Sequence, residues 1–256
     1  MQTVEWYELA GFDGCVLKGH YESTAGRALS AGRGRRVRVY GGVVLNHPAG
    51  GLNPSAVDAA LSLGARVVWM PTLESEHGVR SSGSPGRPFV PVSRTGVLLP
   101  EVKEVIGVIA RNHLVLATGH SSAEEDLLLV REGRAQGAEH IIVTHAMSRP
   151  IQMSVSQMQE AARLGAFIEI VYVHSLTIPE LRRTAVYSAA DVAAVIRQVG
   201  AASIILSTDM GQVGIPLPPD GLAAFARALG AEGISTHDLD RMMKENPARL
   251  LGLPVS

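Results

Sequence analysis

Short aliphatic runs alternate with segments of helical period along the whole 256-residue chain. Seven runs stand out: Gly14 to Leu17, Val37 to Leu45, Val67 to Met70, Leu114 to Ala117, Ile141 to Val143, Phe167 to Val171 and Ile204 to Leu206. Each is apolar and rich in β-branched residues, the pattern of strands buried on both faces of a parallel sheet. Between them lie segments that open on a capping residue and close on glycine, as helices do. Pro54 to Leu63 follows Asn53 and stops at Gly64, and Ala123 to Gln136 follows Ser122, carries three acids in its first turn and stops at Gly137. Further helices are expected over Glu101 to Arg111, Ser156 to Leu164, Ala189 to Val199, Leu222 to Leu229 and Thr236 to Lys244.

This alternation predicts an α/β fold of βαβ units. A TIM-type (β/α) barrel and an open doubly wound sheet both satisfy it. No glycine-rich phosphate fingerprint follows the first run, which favours the barrel. Seven strands are visible, one short of the usual eight. Residues 75 to 98, rich in Ser, Gly, Pro and Arg, read as one long βα loop with a hairpin over Phe89 to Val97. Neither an internal repeat nor a linker interrupts the chain, so residues 1–256 are expected to form one domain.

Composition narrows the partners. Aromatic residues make up only 4% and the formal net charge is −1. Neither base-stacking nor long-range attraction to nucleic acid or an anionic membrane is favoured. Arg33, Arg35, Arg36 and Arg38 read as a solvated turn before a strand. Cys15 is the single cysteine, which leaves no intrachain disulfide and no thiolate metal cluster. No signal-like N-terminus and no run of 18 apolar residues is found, so a soluble cytoplasmic protein is expected.

The candidate chemistry sits where strands end. His20 follows the first strand, His47 the second, His120 the fourth, His145 the fifth, His174 the sixth and Asp209 the seventh. In a parallel barrel all strand C-termini open on one face, so these residues would converge. Imidazole and carboxylate are the usual ligands of zinc and similar ions. His20, His120, His145 and Asp209 are therefore candidate metal ligands. A single strand-end histidine would equally serve as a hydrogen-bonded rim residue, and Asp209 could simply cap a turn; the constellation is what points to metal. Lys18, two residues before His20, would share its direction and orient an anionic group, or else pair with Glu169, a carboxylate inside an aliphatic strand. His47, Glu169, His174 and Glu74 complete the candidate substrate-facing set. His113 and His140, at strand starts, read as structural, and His237 as solvated.

Four stretches carry a family resemblance: Val16-Leu17-Lys18-Gly19-His20; Gly41 to Asn46 with Gly50 to Pro54; Thr118-Gly119-His120; and Ser207-Thr208-Asp209. With the ending Asn246-Pro247-Ala248-Arg249-Leu250-Leu251-Gly252-Leu253, they resemble the amidohydrolase superfamily, in one of its functionally uncharacterised bacterial and archaeal branches. The resemblance implies a barrel with one or two divalent metals, usually zinc. It further implies that His120 and His145 are ligands and that Asp209 is ligand or base, if the first visible strand is the second of the barrel. The superfamily's His-x-His pair at the end of strand one has no counterpart here, and Thr3 to Ala10 looks like the helix that would follow that strand. A truncated chain, a variant with a reduced site and a degenerate member all fit this departure.

The expected function is metal-dependent hydrolysis of a C–N or C–O bond in a small polar substrate, with Asp209 as proton acceptor and Lys18 orienting the substrate. A phosphoesterase of the polymerase-and-histidinol-phosphatase type is the enzymatic rival, with Lys18, Arg80, Arg87 and Arg94 facing phosphate. A barrel that has lost its chemistry and serves binding or assembly is the alternative of another class. Exposed strand edges in an incomplete barrel would invite covering by the N-terminal segment or by a partner subunit, which allows a homo-oligomer.

Overall fold

The structure, a computed structural model, describes residues 2–83 and 86–254. Seven parallel strands run in chain order across one curled sheet: β1 (Gly14–Val16), β2 (Arg38–Val44), β3 (Ala65–Trp69), then β6 (Val115–Ala117), β7 (His140–Val143), β8 (Phe167–Val171) and β9 (Ile204–Ser207). Strands β4 (Ser93–Arg94) and β5 (Val97–Leu98) form a separate antiparallel hairpin. Among the described residues no ladder joins β9 to β1, so this half-barrel of TIM type is open at one seam.

Alternation along the strands separates two cores. Val43, Val68, Leu116, Ile141, Ile168 and Leu206 face the helices; Val44, Val67, Trp69, Val115, Ala117, Ile142 and Ile205 face the concave side, where Leu250 closes the floor. Gly42 is where β2 presses on β3: a Cβ there would lie 2.0 Å from the Val67 carbonyl oxygen, and the register shifts between Gly41 and Gly42. Only glycine permits that approach.

The helices are α1 (Gln2–Leu9), α2 (Ala25–Gly32), α3 (Pro54–Ser62), α4 (Glu76–Ser81), α5 (Pro100–Arg111), α6 (Ala123–Ala135), α7 (Val155–Arg163), α8 (Ala189–Val199), α9 (Pro218–Ala231), α10 (Thr236–Asp240) and α11 (Asn246–Leu250). Three of them, α6, α7 and α8, start with complete capping boxes on Ser122, Ser154 and Ser188, the reciprocal device that satisfies two free N–H groups at once. A π-helical turn over Arg241–Glu245 joins α10 to α11. Asn246 then donates to the carbonyls of Ala201 (2.8 Å) and Ile204 (2.7 Å), tying the closing helix to β9.

The expected helices are present with shifted ends. Two elements depart from the sequence reading. The stretch 75–98 is not one open loop: α4 occupies its start, capped by Ser75, and the hairpin lies at Ser93–Leu98 rather than Phe89–Val97. Helix α2 was not expected, because its buried face consists only of Ala25, Ala28 and Ala31.

Candidate metal centre

The C-terminal ends of the strands all open on one face, and local backbone devices turn the functional side chains into it. After β6 the chain passes directly over the β3 loop at Gly119. This residue has φ +74°, and a Cβ there would lie 2.4 Å from the carbonyl oxygens of both Met70 and Pro71. The next N–H, of His120, donates to the Pro71 carbonyl at 2.9 Å and fixes where the imidazole departs. His145 and Asp209 leave their strands with φ of 53° and 50°. Left-handed backbone in a non-glycine residue costs about 1–3 kcal/mol and persists where the surroundings impose it, often at working sites.

Four imidazoles form a continuous row. Ring centroids are 6.2 Å apart for His20 and His120, 5.4 Å for His120 and His145, and 5.9 Å for His145 and His174. Their nitrogens are divided in a consistent way. His20 Nδ1 is 2.8 Å from Thr72 Oγ1, His174 Nδ1 bonds Ser148 Oγ, and His145 Nδ1 lies 2.9 Å from Glu169 Oε2. In the rings of His20 and His174 Nδ1 is hydrogen-bonded and Nε2 is left for other partners, whereas His145 Nδ1 faces Glu169 without forming a well-aligned hydrogen bond. The Nε2 of His120 is buried with no hydrogen-bond partner. Asp209 Oδ2 stands 3.5 Å from His145 Nε2.

Lys18 enters the same space. Its Nζ lies 3.3 Å from His145 Nε2, 3.7 Å from Asp209 Oδ1 and 5.9 Å from the centre of the Trp69 ring. The expected pairing of Lys18 with Glu169 is therefore replaced by one with Asp209. Glu169 instead accepts from the His145 N–H (3.3 Å) and from Ser207 Oγ (2.9 Å).

Lys18, His20, His120, His145, Glu169, His174 and Asp209 are thus brought together. His47 and Glu74 pair with each other at the rim: Glu74 Oε2 accepts from the His47 N–H at 2.6 Å and lies 3.1 Å from its Nδ1, and the His47 side chain is 45% exposed. His77 Nε2 is 3.2 Å from the Pro150 carbonyl oxygen. Arg80 is committed to Glu76 at 2.6 Å and lies over the Phe89 ring, which removes it from a phosphate-facing set. His113 and His140 lie beside Glu139.

The electrostatics suit ligation. Burial lowers the imidazoles of His20 and His174 to about 4, with the Lys18 charge reinforcing the first and His145 the second. Burial also holds His120 well below its ordinary range. All three are neutral at pH 7, the form that donates a lone pair to a metal. Burial pushes Asp209 upward, but His145, Lys18, His120 and His174 together outweigh it and hold the carboxyl at about 2. Glu169 is likewise held below its usual value, His145 and Lys18 overcoming its burial.

The donor set fits a divalent ion in kind, and the partnerless buried Nε2 of His120 is an atom such an ion would satisfy. Among the described residues, no three His, Cys, Asp or Glu side chains close on one point as they stand; the Lys18 ammonium sits among them.

Three polar partners were not foreseen from the sequence: Thr72, Ser148 and Asn46. The side chain of Asn46 donates to the His20 carbonyl (3.0 Å) and to Thr72 Oγ1 (3.1 Å), and accepts from the Thr72 N–H (2.9 Å). The only signal available was position, since Asn46 and Thr72 both lie just past a strand end.

Comparison with solved structures finds the same α/β barrel-type fold in several proteins. The phosphotriesterase homology protein of Escherichia coli, solved with phosphate in its active site, matches with a TM-score of 0.61 at 16% identity, over 98% of this chain and 88% of that one. A metallopeptidase from Rhodobacter sphaeroides, bound to a phosphinate mimic of L-Ala-D-Ala, gives 0.58 at 16% identity over 98% and 72%. An amidohydrolase from Pseudomonas aeruginosa gives 0.56 at 15% identity over 78% and 67%. The TIM-type α/β fold expected from the sequence is thus shared with these proteins. No helix of the described residues is long and apolar enough to cross a membrane. No curated protein matches the chain in sequence. A family model does match, over residues 1–169, a stretch holding Lys18, His20, His120, His145 and Glu169, and by it the chain belongs to the Family of unknown function (DUF6282).

Proposed function

We propose that this protein is a metal-dependent hydrolase that cleaves a C–N or C–O bond in a small polar substrate. One observation carries the reading: His20 and His174 each bond Nδ1 to a hydroxyl and keep Nε2 for another partner, His145 Nδ1 faces the Glu169 carboxylate, and the Nε2 of His120 is buried and partnerless. Oriented neutral imidazoles with a carboxylate are what a catalytic zinc site requires. The fold neighbours, a metallopeptidase and an amidohydrolase among them, support it.

His20, His120, His145 and Asp209 would hold one or two divalent ions, zinc in the first place, after small rotations and withdrawal of the Lys18 ammonium. Such an ion would supply Lewis acidity, with a water molecule whose pKa falls to about 7. Asp209, held ionised, would be the proton acceptor. Lys18, freed from Asp209, binds an anionic group of the substrate or the charge developing on it. His174 and Glu169 line the same space, and His47 and Glu74 the rim, as substrate-facing residues. The protein would work on its small molecule in the cytoplasm, without nucleic acid or membrane.

Metal binding tests the proposal. Purified protein is expected to take up stoichiometric zinc. At a hundredfold excess over Kd, zinc should add about 2.7 kcal/mol of stability, a rise of about 5–10 °C in Tm. His120→Ala should abolish both. Protein that binds no zinc and gains no stability from it defeats the reading.

A further inference from the structure

We infer that Glu169 is a positioning residue for His145: it accepts from the backbone N–H of that residue and flanks the Nδ1 edge of its ring, which leaves Nε2 toward Asp209 and Lys18. The inference deepens the hydrolase reading and, for its bearing on metal, rests on it.

A carboxylate in the middle of a buried strand demands a reason, because burying a charge without partners is costly. Glu169 occupies β8 between Ile168 and Ile170, which face the helices. By alternation its side chain points to the concave side, and only 17% of it is exposed. Its two oxygens have separate tasks. Oε1 accepts from Ser207 Oγ at 2.9 Å, which ties the carboxylate to the neighbouring strand β9. Oε2 faces His145 twice, accepting from its backbone N–H at 3.3 Å and standing 2.9 Å from its Nδ1. The carboxylate thus holds the backbone and flanks the ring of a residue whose φ of 53° is unfavourable without support.

The opposite edge of the ring gives independent support. An ammonium has only donors, so the 3.3 Å approach of Lys18 Nζ to His145 Nε2 requires Nε2 to accept. With Nε2 accepting, the ring proton falls on Nδ1, the edge that faces Glu169 Oε2. A carboxylate on the far nitrogen of a ligating histidine fixes tautomer and orientation and raises ligand basicity. Glu169 therefore contributes through His145 and need not touch substrate.

Two readouts on the full-length protein test this. Long-range 1H–15N spectra of the metal-free protein, with the His145 signals assigned by loss in His145→Asn, report which ring nitrogen carries the proton. The expected result is Nδ1–H in the wild type, retention in Glu169→Gln, whose carbonyl oxygen still accepts, and a shift toward Nε2–H in Glu169→Ala. Cobalt affinity, measured by chelator competition, should fall about 10- to 100-fold in Glu169→Ala and less in Glu169→Gln, with the visible d–d bands of the bound ion altered. An Nε2–H ring in the wild type overturns the inference. So does a Glu169→Ala protein with unchanged tautomer, cobalt affinity and spectrum. If the wild type takes up no cobalt, the hydrolase reading falls, while the tautomer result still decides what Glu169 does to His145. Thermal melts of both variants separate misfolding from loss of orientation.

Discussion

At the scale of single residues, the candidate site divides into what composition announces and what only geometry supplies. His120, His145 and Asp209 could be read from the sequence because each follows an unmistakable aliphatic strand, and strand ends converge in a parallel sheet. Thr72 and Ser148 could not, because a hydroxyl after a strand is common and nothing marks it as the partner of an imidazole contributed by another strand. The pairing of Lys18 with Asp209 rather than Glu169 was equally hidden, since it depends on side-chain reach across the mouth. Gly119 offers the sharpest test at this scale. Its φ of +74° and the two carbonyl oxygens 2.4 Å from a would-be Cβ leave no room for a side chain. Gly119→Ala should cost about 3 kcal/mol or more, the sum of steric overlap and left-handed strain, measured by urea denaturation. A variant as stable as the wild type would show that the β6 and β3 loops do not pack as described.

Among the elements, the strands and the long helices were legible from their periodicity and caps. The elements that were missed lack those signals. Helix α2 packs through alanines alone, and α4 is a six-residue turn within a Ser- and Gly-rich stretch. Helix α6 shows the converse case, a strongly signalled helix with a concealed anomaly. Its capping box and acidic first turn are plain in the sequence, yet Asp126 in that turn is fully buried and neither carboxylate oxygen has a hydrogen-bond partner. Burial raises its pKa well above the ordinary value. The folded state then holds a proton that the unfolded state has released, so stability is present below the unfolded pKa of about 3.8 and drains away as pH rises. Asp126→Asn removes that drain. The variant should gain on the wild type by up to about 1.4 kcal/mol per pH unit as pH rises from 4 toward the folded pKa, seen in parallel urea titrations. A stability difference independent of pH would mean that Asp126 is ionised and satisfied.

For the molecule as a whole, the imidazole row dictates how the metal-free fold answers to acid. His20 and His174 titrate at about 4 when folded, and His120 well below its ordinary value, against about 6.5 when unfolded. Between pH 6.5 and 4 the unfolded chain therefore binds more protons, and stability falls as pH drops through that window. Asp209, at about 2, extends the loss from about 3.8 downward. Asp126 acts in the opposite sense, but as one group against three. The Tm of metal-free protein should decline steadily from pH 6.5 to 4, and the double variant His20→Asn/His174→Asn should decline less. A Tm that holds or rises on acidification would show that these rings are not kept neutral by the fold.

The open seam gives these side chains a second importance. Backbone ladders link every strand to its successor but, among the described residues, none links the last to the first. Lys18 follows β1 and Asp209 follows β9, so their ion pair is a clasp between segments about three-quarters of the chain apart. An ion shared by His20 and Asp209 would fasten the same two segments with coordinate bonds. Because fastening distant segments restricts the unfolded chain most, the cation at this mouth would act as a removable cross-link as well as a reagent, and the rigidity of the sheet would be set by whichever cation holds it.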